Sequence, residues 1–410
     1  MCGETLMLNV QVCRTFSDLA AMRERWEQLV AATDYRNVFL TPVWCETWCQ
    51  AFAREGTLRV LCLNDGQRLV AIAPFVLTTT CGVRTLRWIG HGDADYLGIL
   101  CAPEDLADAV WTVLAWLQEQ RRQWDIVHWR DIDEATLALL AANCPPEFLS
   151  ISRMSEVCPY IPIDGTWEEF MARRGGRFRR LRQTVRKCHK HADVAFHYAG
   201  TECITPEEIE RDIRTVDGES WKAAEGRTMF RPAKCHFWRA LLPRILSNGQ
   251  LLYCMMRIND EPAAYAFCFD FNRKLYGWGT SFRERFRQLS PGTVLIERIL
   301  SDAFAAGYRE FDFMRGDEAY KTLWTTDVRN NYEYVMLGRT LRTRVAVDVF
   351  YRRRWALRGN PYARRAKIAY RVVRERFRRT LASRQSHGYL DSVDCGSAFM
   401  AKPTEAPDSD

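Results

Sequence analysis

The sequence contains no C-x-x-C pair, although it holds 15 cysteines among 410 residues. Zinc knuckles and thiol redox motifs need that spacing, so neither is expected. Cys45 and Cys49 are spaced for one face of a helix, and Cys62, Cys101, Cys254 and Cys268 sit in apolar, strand-like runs. They read as buried free thiols in a reducing compartment. No apolar run approaches the roughly 20 residues that a membrane helix needs. Residues Met1 to Gln11 lack a basic stretch followed by an apolar core, which argues against a signal peptide. A G-x-G-x-x-G segment and a Walker loop are both missing, which disfavours dinucleotide-binding and P-loop folds. His189 and His191 are two apart and cannot share a helix face as ligands, so no metal is expected. No recognition-helix motif stands out, so sequence-specific nucleic acid is not an expected partner. The expected location is the cytoplasm, with peripheral attachment at the inner membrane as a variant.

What is present is ordinary for a globular chain: 47% apolar and 27% charged residues. The length suits about two to three domains. The net charge of +7 is concentrated in two segments, Arg173 to Lys190 and Arg339 to Arg384, which points to an anionic partner.

Hydrophobic periodicity gives an α/β (α+β) chain whose order of elements recurs. In the first half, Val10–Arg14 reads as a strand, and Ser17 as the cap of a helix running to Ala32. Thr41-Pro42 opens a second helix. Leu58–Leu63 and Leu69–Val76 flank the turn signal Asn64-Asp65-Gly66. Val83–Ile89, Tyr96–Leu100 and Asp125–Trp129 continue the sheet, with a helix over Leu106–Gln120. In the second half, helices over Thr205–Thr215 and Ala233–Leu246 precede strands Leu251–Ile258 and Ala263–Phe271, which flank Asn259-Asp260. Lys274–Thr280 and Glu310–Phe313 are strands. Ser290-Pro291 caps a helix that ends at Gly307. This recurrence predicts a duplicated unit with a ligand cleft between its copies. The expected division is 1–155, 156–345 with the donor site, a basic amphipathic helix over 346–384 and a disordered tail over 385–410.

Several segments could carry chemistry. Ser290, Pro291, Gly292 and Thr293 stand where a strand gives way to a helix, and the free N–H groups of a helix start suit a pyrophosphate. Phe311 to Lys321 ends a strand at a glycine and follows it with acids, a phenol and an ammonium, where α/β folds place chemistry. Acyl transfer needs a base and a proton or cation for the departing thiolate, which a carboxylate with Tyr320 and Lys321 could supply. Asp317 or Glu318 could cap the short helix there. Trp221 beside Lys222 offers a stacking surface and a phosphate contact. The basic helix around Arg177 and Arg180 suits phosphate or acidic sugar. His91 to Tyr96 is a polar loop whose Asp93 and Asp95 could line the cleft. The basic tail helix could lie on an anionic membrane face.

At Phe39–Trp48, Leu69–Pro74, Gly90–Tyr96, Gly176–Arg186, Ser220–Lys222, Ser290–Leu295 and Gly316–Lys321 the sequence resembles a known family. This is the GNAT-type acetyltransferases of bacterial cellulose and exopolysaccharide biosynthesis (CelD/BcsL-like), distant relatives of the FemAB peptidyltransferases. The resemblance extends over about residues 15 to 340. The resemblance implies two tandem GNAT-like domains with mixed sheets, and transfer from acetyl-CoA or another acyl-CoA. The implied acceptor is a saccharide or lipid-linked saccharide of the envelope. For FemAB relatives the implied donor is an aminoacyl-tRNA, and a non-catalytic adaptor at the membrane is a further alternative. By position, Ser290, Pro291 and Gly292 match the donor-side helix start, and Asp317, Tyr320 and Lys321 match the G-D-E-x-Y-K stretch. The usual Gly- and Arg-rich pyrophosphate loop is not present, and the tail after Leu341 lies outside the resemblance. The expected chemistry is direct transfer. A backbone N–H of the Lys274–Thr280 strand polarises the thioester, Asp317 or Asp312 takes the acceptor's proton, and Tyr320 or Lys321 stabilises the thiolate.

Overall fold

A computed structural model describes residues 8–33, 37–173, 175–199 and 204–338. The chain starts with strand β1 (Asn9–Cys13) and helix α1 (Phe16–Ala32). The hydroxyl that caps α1 belongs to Thr15 rather than Ser17, because Asp18 at the third helical position accepts from the Thr15 N–H in return. Helix α2 (Pro42–Phe52) opens as expected, with Pro42 in its first turn and Thr41 as cap. Strands β2 (Leu58–Asp65), β3 (Arg68–Thr80) and β4 (Val83–Trp88) form a meander. The expected strand over Tyr96–Leu100 shrinks to β5 (Leu100–Cys101) on β3. Tyr96 is drawn inward instead, its phenol donating to Asp312 in the other half at 2.8–2.9 Å. Helix α3 (Leu106–Glu119), strand β6 (Ile126–Ile132), helix α4 (Glu134–Ala142) and strand β7 (Phe148–Pro162) follow.

The second half brings helices α5 (Trp167–Arg173) and α6 (Gly176–His191), strand β8 (Val194–Tyr198) and helices α7 (Pro206–Gly218), α8 (Trp221–Ala224) and α9 (Cys235–Ser247). Strands β9 (Leu251–Ile258), β10 (Glu261–Phe271) and β11 (Lys274–Phe282) repeat the meander. Asn259 and Asp260, both at positive φ, make the tight turn between β9 and β10. Helix α10 (Pro291–Ala305), β12 (Glu310–Asp312) and β13 (Val328–Gly338) complete the described chain. The segments read as a tail helix (346–384) and a disordered tail (385–410) lie outside the described residues.

The strands make one mixed sheet in the order β1-β2-β3-β4-β6-β13-β7-β12-β11-β10-β9-β8, with β5 on β3. Read inward from its two ends, the order matches the duplication: β1 with β8, β2 with β9, β3 with β10, β4 with β11, β6 with β12. The two central strands are exchanged. β7, from the first half, pairs with β12, and β13, from the second, pairs with β6. β7 and β13 also pair with each other over their length, from Phe148–Gly338 to Pro159–Val328. β7 thus runs unbroken across the division expected at residue 155, and β13 completes the sheet of the first half.

An aromatic interface joins the halves. Phe39, fully buried, lies 5.7 Å from Phe269, 5.9 Å from Tyr276 and 5.7 Å from Trp278. Most described cysteines are buried free thiols, as expected. No helix among the described residues is long and apolar enough to cross a membrane.

The exchanged strands also carry charge. Glu333 of β13, 2% exposed, receives His128 of β6 at 2.7 Å and Arg153 of β7 at 3.0 Å, with Arg130 at 3.7 Å. Burial would raise its pKa, but the His128 hydrogen bond and the Arg130 and Arg153 cations hold it down at about 2. That lies below the ordinary 4.5, so the stabilisation is complete above about pH 4.5 and fades as pH falls toward 2. Replacing Glu333→Gln is expected to cost about 1–3 kcal/mol at neutral pH, by leaving the part-buried Arg130 and Arg153 and the His128 ring without their shared acceptor. Denaturant unfolding across a pH series should show the gap from wild type closing below that window.

Candidate active site

β11 and β12 run parallel and pair only from Lys274–Glu310 to Tyr276–Asp312. Beyond Tyr276 they part, and β11 continues alone on that edge to Phe282. Gly277 marks the parting: a Cβ there would meet the Asp312 carbonyl and the Phe311 ring at 3.2 Å. The next residues of β11 carry a bulge against β10, between the pairs Cys268–Gly277 and Phe267–Gly279. The strand ends open into a cleft of about 880 Å³, a size typical of ligand sites.

One wall is β11 from Gly277 to Phe282; a second is the start of α10 with Ser290, Gly292 and Thr293; a third is the loop after β12, including Met314, Arg315, Glu318, Tyr320 and Lys321. Trp221 and Lys222 come from α8, and Gly92, Asp93 and Asp95 reach in from the first half. The cleft thus collects most of the residues singled out from the sequence. Pro291, Asp312, Asp317, Arg177 and Arg180 are not in its lining. Arg180 is exposed on α6, and the Arg177 side chain lies outside the described residues.

The start of α10 differs from the expected capped helix. Ser290 adopts a left-handed conformation (φ 53°, ψ 48°) and its side chain makes no cap hydrogen bond. The turn over 284–289 forces this, its last N–H, from Ser290, closing on the Arg287 carbonyl at 3.0 Å. The Ser290 carbonyl then receives the N–H groups of Thr293 and Val294, and the Gly292 N–H has no partner among the described residues. That leaves a donor at the positive end of a helix dipole.

Asp312 is fully buried. It accepts from Tyr96, from Lys274 at 2.9 Å and from the Met314 N–H at 2.7 Å, with Arg329 at 3.8 Å. Burial alone would raise its pKa, but Lys274 and Arg329 outweigh it and hold the carboxyl below its usual value. Fully enclosed, with its oxygens occupied by these donors and its basicity lowered by the two cations, the carboxylate has no open path to a substrate's proton, so the expected role as base does not fit its place. Asp317 is exposed, and Glu318 is the carboxylate of that stretch on the cleft wall. Lys321, 2% exposed, donates to the carbonyls of Met314 and Arg315 at 3.1 and 2.8 Å and pairs with Glu318 at 2.9 Å. It pins the loop. Tyr320 stays 40% exposed; burial and the Glu318 charge push its phenol pKa up, so its hydroxyl stays protonated at neutral pH.

Asp95 and Asp93 line the cleft but are engaged, Asp95 with Arg315 at 2.9 Å and Asp93 with Lys234 and with Trp48 at 2.9 Å. Lys222 is different. Its ammonium makes no ion pair or hydrogen bond among the described residues and sits 5.6 Å from the Tyr265 ring. Burial, with Arg227 adding to it, lowers its pKa against the pull of Asp217. Sequence reading missed Arg287 and the bulge at Trp278. Arg287 stands three residues before Ser290, a proximity that could have drawn notice.

The first half has the same parting, since β4 and β6 pair only at Thr85–Ile126 and Leu86–Val127. There, buried rings close-pack: Phe75 stacks on Trp129 at 4.9 Å, and Trp88 lies 4.6 and 4.8 Å from them.

Because Ser290 pays a left-handed backbone cost without capping, Ser290→Gly is expected to raise stability by about 1 kcal/mol in thermal unfolding. A comparable loss would show that the hydroxyl stabilises the helix.

Residues 175–322 match the model of the acetyltransferase (GNAT) domain. No curated protein matches the chain in sequence. Among solved structures, FemX is similar with a TM-score of 0.57 at 12% identity, over 80% of this chain and 98% of FemX. A conserved protein of unknown function from Bacteroides thetaiotaomicron VPI-5482 is similar with a TM-score of 0.51 at 12% identity, over 81% of this chain and 100% of that one. At these identities the likeness is one of fold. It spans both halves, and the region that builds most of the cleft is the one that matches the acetyltransferase (GNAT) domain model.

Proposed function

We propose that this chain is an acyltransferase that moves an acetyl or other acyl group from acyl-CoA to a hydroxyl or amine of an envelope polysaccharide or its precursor. The observation that carries the reading is the parting of β11 from β12 beside the start of α10. It sets an unpaired strand edge, the free Gly292 N–H and the unpaired Lys222 around one cleft. The diphosphate of the donor lies against the first turn of α10, at Ser290 to Thr293, with Lys222 balancing its charge and Arg287, already paired with Glu284, beside it. The thioester carbonyl hydrogen-bonds to the β11 edge between Gly277 and Thr280, where negative charge develops.

The acceptor oxygen or nitrogen attacks the thioester carbon, the new C–O or C–N bond forms and the C–S bond breaks. Glu318 receives the acceptor's proton, in the place first expected of Asp317. Tyr320 gives its proton to the departing thiolate and regains one from solvent. Lys321 holds the loop carrying both. Trp221, Asp93 and Asp95 border the acceptor side, with the Trp221 ring available to a sugar face.

Titration calorimetry with acetyl-CoA and longer acyl-CoAs tests the donor. Wild type is expected to bind, and Lys222→Met to bind about tenfold more weakly through loss of a charged contact. Tyr320→Phe should lower kcat by about a hundredfold with donor affinity unchanged, and Asp317→Asn should stay active. Failure to bind any acyl-CoA, with ribonuclease-sensitive transfer, would replace the donor with an aminoacyl-tRNA. Failure of both would leave a non-catalytic adaptor.

A further inference from the structure

Helix α6 was read as a substrate contact, yet it stands outside the cleft. It packs against α10 and against residues 284–289, the segment that carries Arg287 into the cleft wall. Leu181, Val185 and Cys188 make that contact. At about 100° per residue, Arg179, Arg180, Arg182, Arg186, Lys187 and Lys190 fall on the opposite side of the helix. All six are exposed, and none has an ion pair or side-chain hydrogen bond among the described residues. The helix contains no acidic residue. Elsewhere, exposed arginines such as Arg214, Arg239, Arg285, Arg287 and Arg298 find carboxylates. A self-repelling cationic strip with no partner among the described residues is complementary to an external polyanion.

Exposed apolar side chains in the same half of the chain bear on which polyanion. Trp221, Tyr320 and Leu323 stay 37%, 40% and 53% exposed there. Aromatic rings would serve RNA or lipid alike. An exposed leucine cannot stack on a base, whereas it suits the boundary of a bilayer, where aromatic and aliphatic side chains sit beside cations.

We propose that α6 docks the protein on an anionic lipid surface through these cations. The proposal stands apart from the choice of acyl donor. The test is co-sedimentation of the full chain with phosphatidylcholine vesicles, with and without phosphatidylglycerol. Binding is expected only to the anionic vesicles and is expected to fall with rising salt. The variant Arg179→Gln, Arg180→Gln, Arg186→Gln and Lys187→Gln should bind at least about tenfold more weakly. Its thermal unfolding should match wild type, because these exposed side chains make no ion pair or side-chain hydrogen bond among the described residues. Lysine at the same three arginine positions should restore binding. Unchanged binding by the glutamine variant would overturn the proposal, because other cations would then be responsible. So would wild type that ignores phosphatidylglycerol, or that binds bulk tRNA more tightly than the vesicles at equal salt and loses that binding in the variant.

Discussion

One buried charge organises this molecule. Asp312 ends the short pairing of β11 with β12 and has no access to water. An unpaired carboxylate in that position would be prohibitively costly, so the surrounding elements must supply its partners. Lys274 comes from the start of β11, Arg329 from β13, Tyr96 from the first half and the Met314 N–H from the loop that walls the cleft. Satisfying a single carboxylate therefore fixes where the strands separate, how the halves meet and where the Tyr320 loop begins. Lys274 and Arg329 also share Glu310 at 2.9 and 2.6 Å, which extends the same constraint to the start of β12.

The two halves show how one plan yields different outcomes. Both open a gap between parallel strands after a few paired residues. In one, the side chains beside the gap are Gly277 and Gly279, and space remains. In the other they are Trp88 and Trp129, which with Phe75 fill the gap with ring surface. Side-chain volume at a few positions, rather than topology, separates a binding cleft from a solid core.

Much of this was legible in the sequence. Turn chemistry announced the hairpin at Asn259-Asp260 and the helix at Thr41-Pro42, because both are decided by neighbours in the chain. Trp221, Lys222, Gly292 and Tyr320 were legible as cleft residues because each stands beside a local boundary of structure. β7 and β13 were not legible. Their interiors carry Arg153 and Glu333, which look like solvent-facing charges until the strands meet across 180 residues. The enclosure of Asp312 was not legible for the same reason: local sequence places an acid at a strand end but says nothing of remote cations. Ser290-Pro291 looked like a capped start, yet the preceding turn, not the hydroxyl, decides its backbone.

The strand exchange has a consequence for how the protein comes into being. β13, the last of the described strands to leave the ribosome, belongs in the middle of the sheet, between β6 and β7. Until it emerges, β6 and β7 each present an open edge to other chains. The first half cannot be finished as an independent nucleus ahead of the second. Such high contact order makes completion slow and leaves the nascent chain reliant on protection during synthesis.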